Sequence, residues 1–266
     1  MRKNWIAWML FAVYAASYFA INVLGVDRQY SVLLLIVLTF VVSLYLLVKN
    51  GFSSKKGIVI SGVLTVIYVV SKTYSMNLFV IFQSVNVFLS SVVACKVMEM
   101  YPSKSLRWLK STKRSQVIVS VLIGLLAGVL WGVINIFLMK SSGNPVNRGS
   151  VIKSFIESLN PAVFEEVTCR TLFGALVLSL NKGFLSTKFS KFTCWFMMIV
   201  PHVIPHMVFS LENGLIIGIV EWIVILLLYV LVFGILFAAL QKKRDITSAM
   251  VAHGVVDFIR FVIFSA

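Results

Sequence analysis

Cysteine is scarce in this 266-residue chain: Cys95, Cys169 and Cys194 lie inside or at the edges of apolar runs, with no CxxC spacing. That excludes a disulfide framework and a cysteine-built zinc site. Short segments of alternating polarity are absent too, which excludes a β-barrel. No RNA- or DNA-binding module accompanies the net charge of +15, so nucleic acid is not an expected partner. The GxSG and GxGD motifs of rhomboid-type and presenilin-type proteases do not occur, and neither does HExxH. There is no internal repeat of the kind that builds many transporters.

What remains is largely hydrocarbon. Hydrophobic residues make up 60% of the chain, in runs of about 18 to 25 that are apolar all round, enough for helices to cross a ~30 Å hydrocarbon core. The expected fold is all-α: a polytopic transmembrane bundle of eight to nine spans. The candidates lie near 5–24, 31–48, 57–72, 77–95, 116–139, 161–180, 192–210, 214–240 and 246–264. No small-residue cleavage pattern follows Arg2-Lys3, so the first run reads as a span and not a signal peptide. A polar insert near 96–115 divides the chain into 1–115 and 116–266, and the second block holds every chemically suggestive feature.

The cations alternate from loop to loop. With the N-terminus cytoplasmic, seventeen of the 24 Lys and Arg fall on the cytoplasmic side and five on the other, as the positive-inside rule requires. Arg170 and Arg260 stay within spans. The charge therefore reads as topology and attraction to anionic lipid, and the bilayer is the first partner.

An ionisable residue inside a span is costly and marks function by default. Four of the nine acids sit in spans, Glu165, Glu166, Glu221 and Asp257, as do all three histidines, His202, His206 and His253. In Asn160-Pro-Ala-Val-Phe-Glu-Glu-Val-Thr-Cys-Arg170, Pro161 is placed to open a helix. Glu166 and Arg170 share a face at i,i+4, so one carboxylate pairs with the guanidinium while Glu165 is left for a cavity. In Val200-Pro-His-Val-Ile-Pro-His206, two prolines break the helix beside two histidines and free the carbonyls of Met197 and Pro201. His202 and His206 at i,i+4 share a face as metal-binding pairs do; backbone-bonded core histidines are the plainer alternative. His253 and Asp257 form a third i,i+4 pair, able to orient an imidazole. Rise-per-residue arithmetic puts the three clusters at overlapping depths, within reach of one pocket. Glu221 stands alone and receives no role.

Taken together, these motifs resemble those of the CAAX-protease and bacteriocin-processing intramembrane proteases, the Abi family that includes Ras-converting enzyme. Glu165-Glu166-Val-Thr-Cys-Arg170 matches its EExxxR. His253-Gly-Val-Val-Asp257 matches its HxxxN with Asp for Asn. The FxxxH motif has two candidates: Met198 precedes His202 as an apolar stand-in, whereas the distance to His253 and the loop after Ser210 favour His206. The likeness spans about residues 150–260.

It implies an intramembrane endopeptidase in which Glu165 activates water, Glu166 and Arg170 hold the site, and one of His202 and His206, with His253 and Asp257, stabilises the oxyanion. This glutamate mechanism needs no cofactor; zinc on His202, His206 and His253 is the other arrangement the residue types allow. Asp257 would have to be protonated to donate as Asn does; otherwise it orients His253 or meets a metal. Short loops and the absence of an ER retention signal at Phe264-Ser-Ala266 suggest a bacterial cell membrane. The expected substrates are then leader, pheromone or bacteriocin-type peptide precursors or membrane-protein segments. Alternative functions are a proton- or ion-coupled transporter and a non-catalytic bacteriocin-immunity protein.

Overall fold

The computed structural model describes residues 4–25, 29–102, 106–207 and 214–264. Arg2, Lys3, Arg28, Lys104 and the loop after Ser210, all used in the sequence argument, lie outside the described residues. Among the described residues eleven α-helices follow one another: α1 Trp5–Val23, α2 Gln29–Asn50, α3 Lys55–Ser71, α4 Leu78–Met100, α5 Arg114–Ser141, α6 Val151–Val163, α7 Leu172–Leu180, α8 Lys188–Val203, α9 Leu215–Tyr229, α10 Ile235–Ala239 and α11 Ile246–Ile263. Wider π-helical turns join α6 to α7 at Phe164–Thr171, α9 to α10 at Val230–Gly234, and α10 to the α11 cap at Leu240–Arg244. Among the described residues there is no strand, only an isolated bridge between Asn147 and Phe264.

Six helical runs among the described residues are long and apolar enough to cross a membrane: α1, α2, α4, α5, the run Ile216–Arg244 and α11. The other three expected spans fall short for local reasons. The α3 helix has 17 residues. Around 161–180 the helix carries the polar Glu-Glu-Val-Thr-Cys-Arg stretch on a π turn. The α8 helix stops after 16 residues, at its prolines. Pro161 also departs from expectation: the helix begins at Val151 and carries Pro161 inside it. The amphipathic turn before Pro161 is too polar to read as a span, yet it packs against α3 and α11 and propagates straight into the proline.

Polar caps fix the helix starts. Asn77 accepts from Val80 N at 3.0 Å, Thr187 and Ser190 form a reciprocal capping box, and Asp245 accepts from Ser248 N at 2.9 Å at the head of α11, each satisfying N–H groups the helix itself leaves open. Asp245 also accepts from Lys110 N and Ser120 Oγ, tying the first turns of α5 and α11 together.

The α7 helix is buried along its whole length and packs against α2, α4 and α8. Residues from both 1–115 and 116–266 share this one apolar core. Inside a bilayer, association depends on close packing and interhelical hydrogen bonds. Between α2 and α4, Asn86 donates to Thr39 Oγ1 at 2.8 Å and Ser43 meets Ser90 at 2.9 Å. The α5 helix approaches α11 through Gly124, Gly128 and Gly132. A Cβ on Gly124 would stand 2.7 Å from Ser248 O, and one on Gly128 only 2.8 Å from Ala252 O. That contact sets the depth of the neighbouring His253.

Candidate functional site

The π turn at Phe164–Thr171 places its two glutamates in opposite environments. A π turn widens the helix and is found most often at functional sites. Glu166 is fully buried. Its Oε1 accepts from Arg170 Nη1 and from His253 Nδ1, the latter at 2.7 Å, and its Oε2 accepts from Gln241 Nε2 at 2.8 Å. Its main-chain oxygen takes Thr171 Oγ1 at 2.7 Å and Gln241 Nε2 at 2.9 Å. Every acceptor of this residue is engaged by a donor on one of three elements. A fully buried ion pair is tolerated best when further hydrogen bonds satisfy its remaining polar atoms; both carboxylate oxygens are engaged here, while Arg170 Nε meets no hydrogen-bonding group of the described residues.

Glu165 faces the other way. It lines a cavity of about 180 Å³ with His202, His206, His253, Asp257 and Arg260. Its Oε2 lies 3.5 Å from His253 Nε2 and 3.7 Å from His206 Nε2. Glu165, the three histidines and Asp257, which sequence depth placed together, thus meet at one cavity, and Glu166 and Arg170 lie behind its lining, bonded to His253 and His202.

The two histidines of the broken helix differ. The α8 helix ends at Val203 and passes into a 3₁₀ turn, Ile204–His206, because Pro205 cannot donate back to Pro201. Tyr14 of α1 takes up the freed Pro201 carbonyl at 3.0 Å, and Tyr18 donates to Met207 O at 2.9 Å. The break turns the rings nearly perpendicular, 86° apart with centroids at 6.4 Å, so the shared α-helical face expected for a metal-binding pair is lost. His202 is buried, and its Nε2 lies 2.9 Å from Arg170 Nη2. A guanidinium can only donate, so Nε2 accepts and the ring proton sits on Nδ1. Nδ1 is buried and meets no hydrogen-bonding group of the described residues. His206 is more open, with its side chain 42% exposed, and stacks near-parallel on Tyr229.

His253 stacks on Phe237 at 4.3 Å and 7°. Its Nδ1 is committed to Glu166, which leaves Nε2 between Glu165 and Asp257 Oδ2, the latter at 3.4 Å. The other Asp257 oxygen accepts from Arg260 Nη2 at 2.6 Å. An Asp gripped by Arg in this way differs from an Asn that donates.

The residues present do not fit a three-histidine zinc site. His202 turns its only lone pair to the Arg170 guanidinium and so has no nitrogen to give a metal in this arrangement. Among the described residues no group of three or more His, Cys, Asp and Glu side chains converges in a metal-holding arrangement.

Sequence reasoning missed Gln241 and Arg260. Gln241 is hidden at the junction of an apolar run with Lys242-Lys243-Arg244, and its contact with Glu166 crosses 75 positions. Arg260 was visible as a span cation three residues after Asp257, the i,i+3 spacing at which a pair meets. Phe237 and Tyr229, which support the imidazoles, look like any other aromatic of a span. Comparison of the chain with protein-family models, curated proteins and solved structures gives no match.

Proposed function

We propose that the chain is an intramembrane endopeptidase of the glutamate-dependent type, similar to the CAAX-protease and bacteriocin-processing enzymes whose motifs its second half carries. One observation carries the reading: Glu165 opens onto a polar cavity with two imidazoles within 3.7 Å, while its neighbour Glu166 is consumed by Arg170, His253 and Gln241. A purely structural Glu–Arg pair accounts for Glu166 and leaves Glu165 unexplained.

In this mechanism Glu165 takes a proton from water as the water oxygen adds to the scissile carbonyl carbon and the carbonyl electron pair moves to oxygen. The oxyanion accepts from His206, whose side chain is open to the cavity, while His202, fixed in advance by Arg170, holds the wall beside it. Collapse breaks the C–N bond, and the departing amine receives the proton held by Glu165. Glu166 and Asp257 hold the His253 ring from its two nitrogens, so Asp257 acts through His253 and not as an oxyanion donor. The substrate class is a peptide precursor of leader, pheromone or bacteriocin type, or a membrane-associated segment. The cation distribution supports a multi-pass membrane protein of eight to nine spans with a cytoplasmic N-terminus, and the short loops support a bacterial origin.

The test is processing of co-expressed peptide precursors by wild type and Glu165→Gln at matched membrane abundance, with and without a zinc chelator. Wild type cleaves, Glu165→Gln does not, and chelation changes nothing. Undiminished cleavage by Glu165→Gln would sink the mechanism, and chelator inhibition reversed by zinc would replace it with a metal-dependent one.

A further inference from the structure

Glu165, His202 and His206 face a second hollow on their other flank. It measures about 390 Å³ and is lined also by Gln29, Lys72, Gln83 and Asn160, within the range of about 300–1,000 Å³ for ligand pockets. The three residues therefore form a neck between two chambers. The first chamber offers the Asp257–Arg260 pair, which is already internally neutralised. In the second, Lys72 is the only Lys or Arg and Glu165 the only carboxylate among the described lining residues.

Lys72 is held in place from below. Its ammonium lies 5.9 Å from the centroid of the Tyr68 ring, and the Tyr68 hydroxyl donates to Gln83 Oε1. The carboxylates whose fields reach it are Glu157 and Glu165. Both have closer partners, Glu157 in Lys153 and Glu165 in His206 and His253. Three side-chain amides complete the polar lining, and their N–H groups are donors suited to an anion.

We propose that this second chamber is a substrate subsite that binds a peptide carboxylate on Lys72, either an acidic side chain or the terminal carboxylate, while the scissile bond lies at the neck. The inference rests on the endopeptidase reading. It makes the enzyme selective for acidic peptides on one side of the cleaved bond.

The probe is a set of internally quenched peptides carrying Asp, Asn or Lys at one position at a time, each with a free and an amidated C-terminus. They are presented to the full chain in neutral phosphatidylcholine vesicles. Wild type and Lys72→Arg prefer Asp to Asn at one position by about tenfold in kcat/KM, equivalent to about 1.4 kcal/mol, expressed in KM. Lys72→Met erases the ratio and Lys72→Glu turns it toward Lys. Loss of the preference on amidation assigns the terminal carboxylate; its persistence assigns the side chain.

An Asp/Asn ratio equal in all four proteins overturns the subsite and leaves the protease standing. So does an equal fall on Asp and Asn peptides with a displaced pH profile, which would make Lys72 a partner of Glu165. A Lys72 effect that appears only when anionic lipid is added overturns it in favour of a headgroup contact. Absence of cleavage by wild type across the set removes the endopeptidase reading itself.

Discussion

The two faces of the π turn at Phe164–Thr171 hold the same side chain under opposite conditions. On the closed face, Glu166 meets Arg170, His253 and Gln241, so that both carboxylate oxygens have a donor. On the open face, Glu165 meets two imidazoles among the described residues, at 3.5 and 3.7 Å, beyond ordinary hydrogen-bond length. The difference separates stability from chemistry: one carboxylate is spent on holding three helices in register, and the other is left able to exchange a proton. The same contrast divides the imidazoles, with His202 and His253 fixed by the closed face and His206 standing in the open.

The sharpest way to break this comparison is to alter each glutamate alone. Glu165→Gln is expected to lower the cleavage rate about 10²- to 10⁴-fold, the usual contribution of a general base, with little change in unfolding temperature in micelles. If cleavage and stability fell together, the open face would be structural after all. Glu166→Leu leaves Arg170 buried and unpaired, and denaturant unfolding should show a loss of about 3–5 kcal/mol. Adding Arg170→Met should return only part of that loss, because it removes the unpaired guanidinium but still leaves His253 Nδ1, Gln241 Nε2 and His202 Nε2 without their partners. Gln241→Leu removes two hydrogen bonds from Glu166 and should cost about 1.5–3 kcal/mol for the charged one, with the cleavage rate falling far less than in Glu165→Gln. The smallest effect belongs to the broken helix. Tyr14→Phe strips the partner from Pro201 O and should cost about 1 kcal/mol, read as faster hydrogen exchange in residues 199–207.

The closed face was half legible in the chain. Glu166 and Arg170 stand at i,i+4, a local spacing that any helix converts into contact. The prolines at 201 and 205 likewise announce a break, because the missing N–H groups are properties of the residues themselves. Gln241 could not be read, since its pairing depends on how two helices far apart in sequence rotate against each other. The π turn was equally hidden: it widens the helix by one residue without altering the apolar pattern around it. Pro161 misled because its preference for a first turn was overridden by the packing of α6 against α3 and α11. The glycines of α5 recur every fourth residue in plain view, yet their spacing does not say that α11 is the helix they admit.

The hydroxyls of Tyr14 and Tyr18 carry a consequence for the order of assembly. They lie on α1, and their acceptors, Pro201 and Met207, come 187 and 189 residues later. Contacts of such separation form late, after the entropy of closing a long loop has been overcome. The α1 helix can thus settle on its neighbour α2 early, whereas the end of α8 is completed only when α1 is brought back to it across that separation.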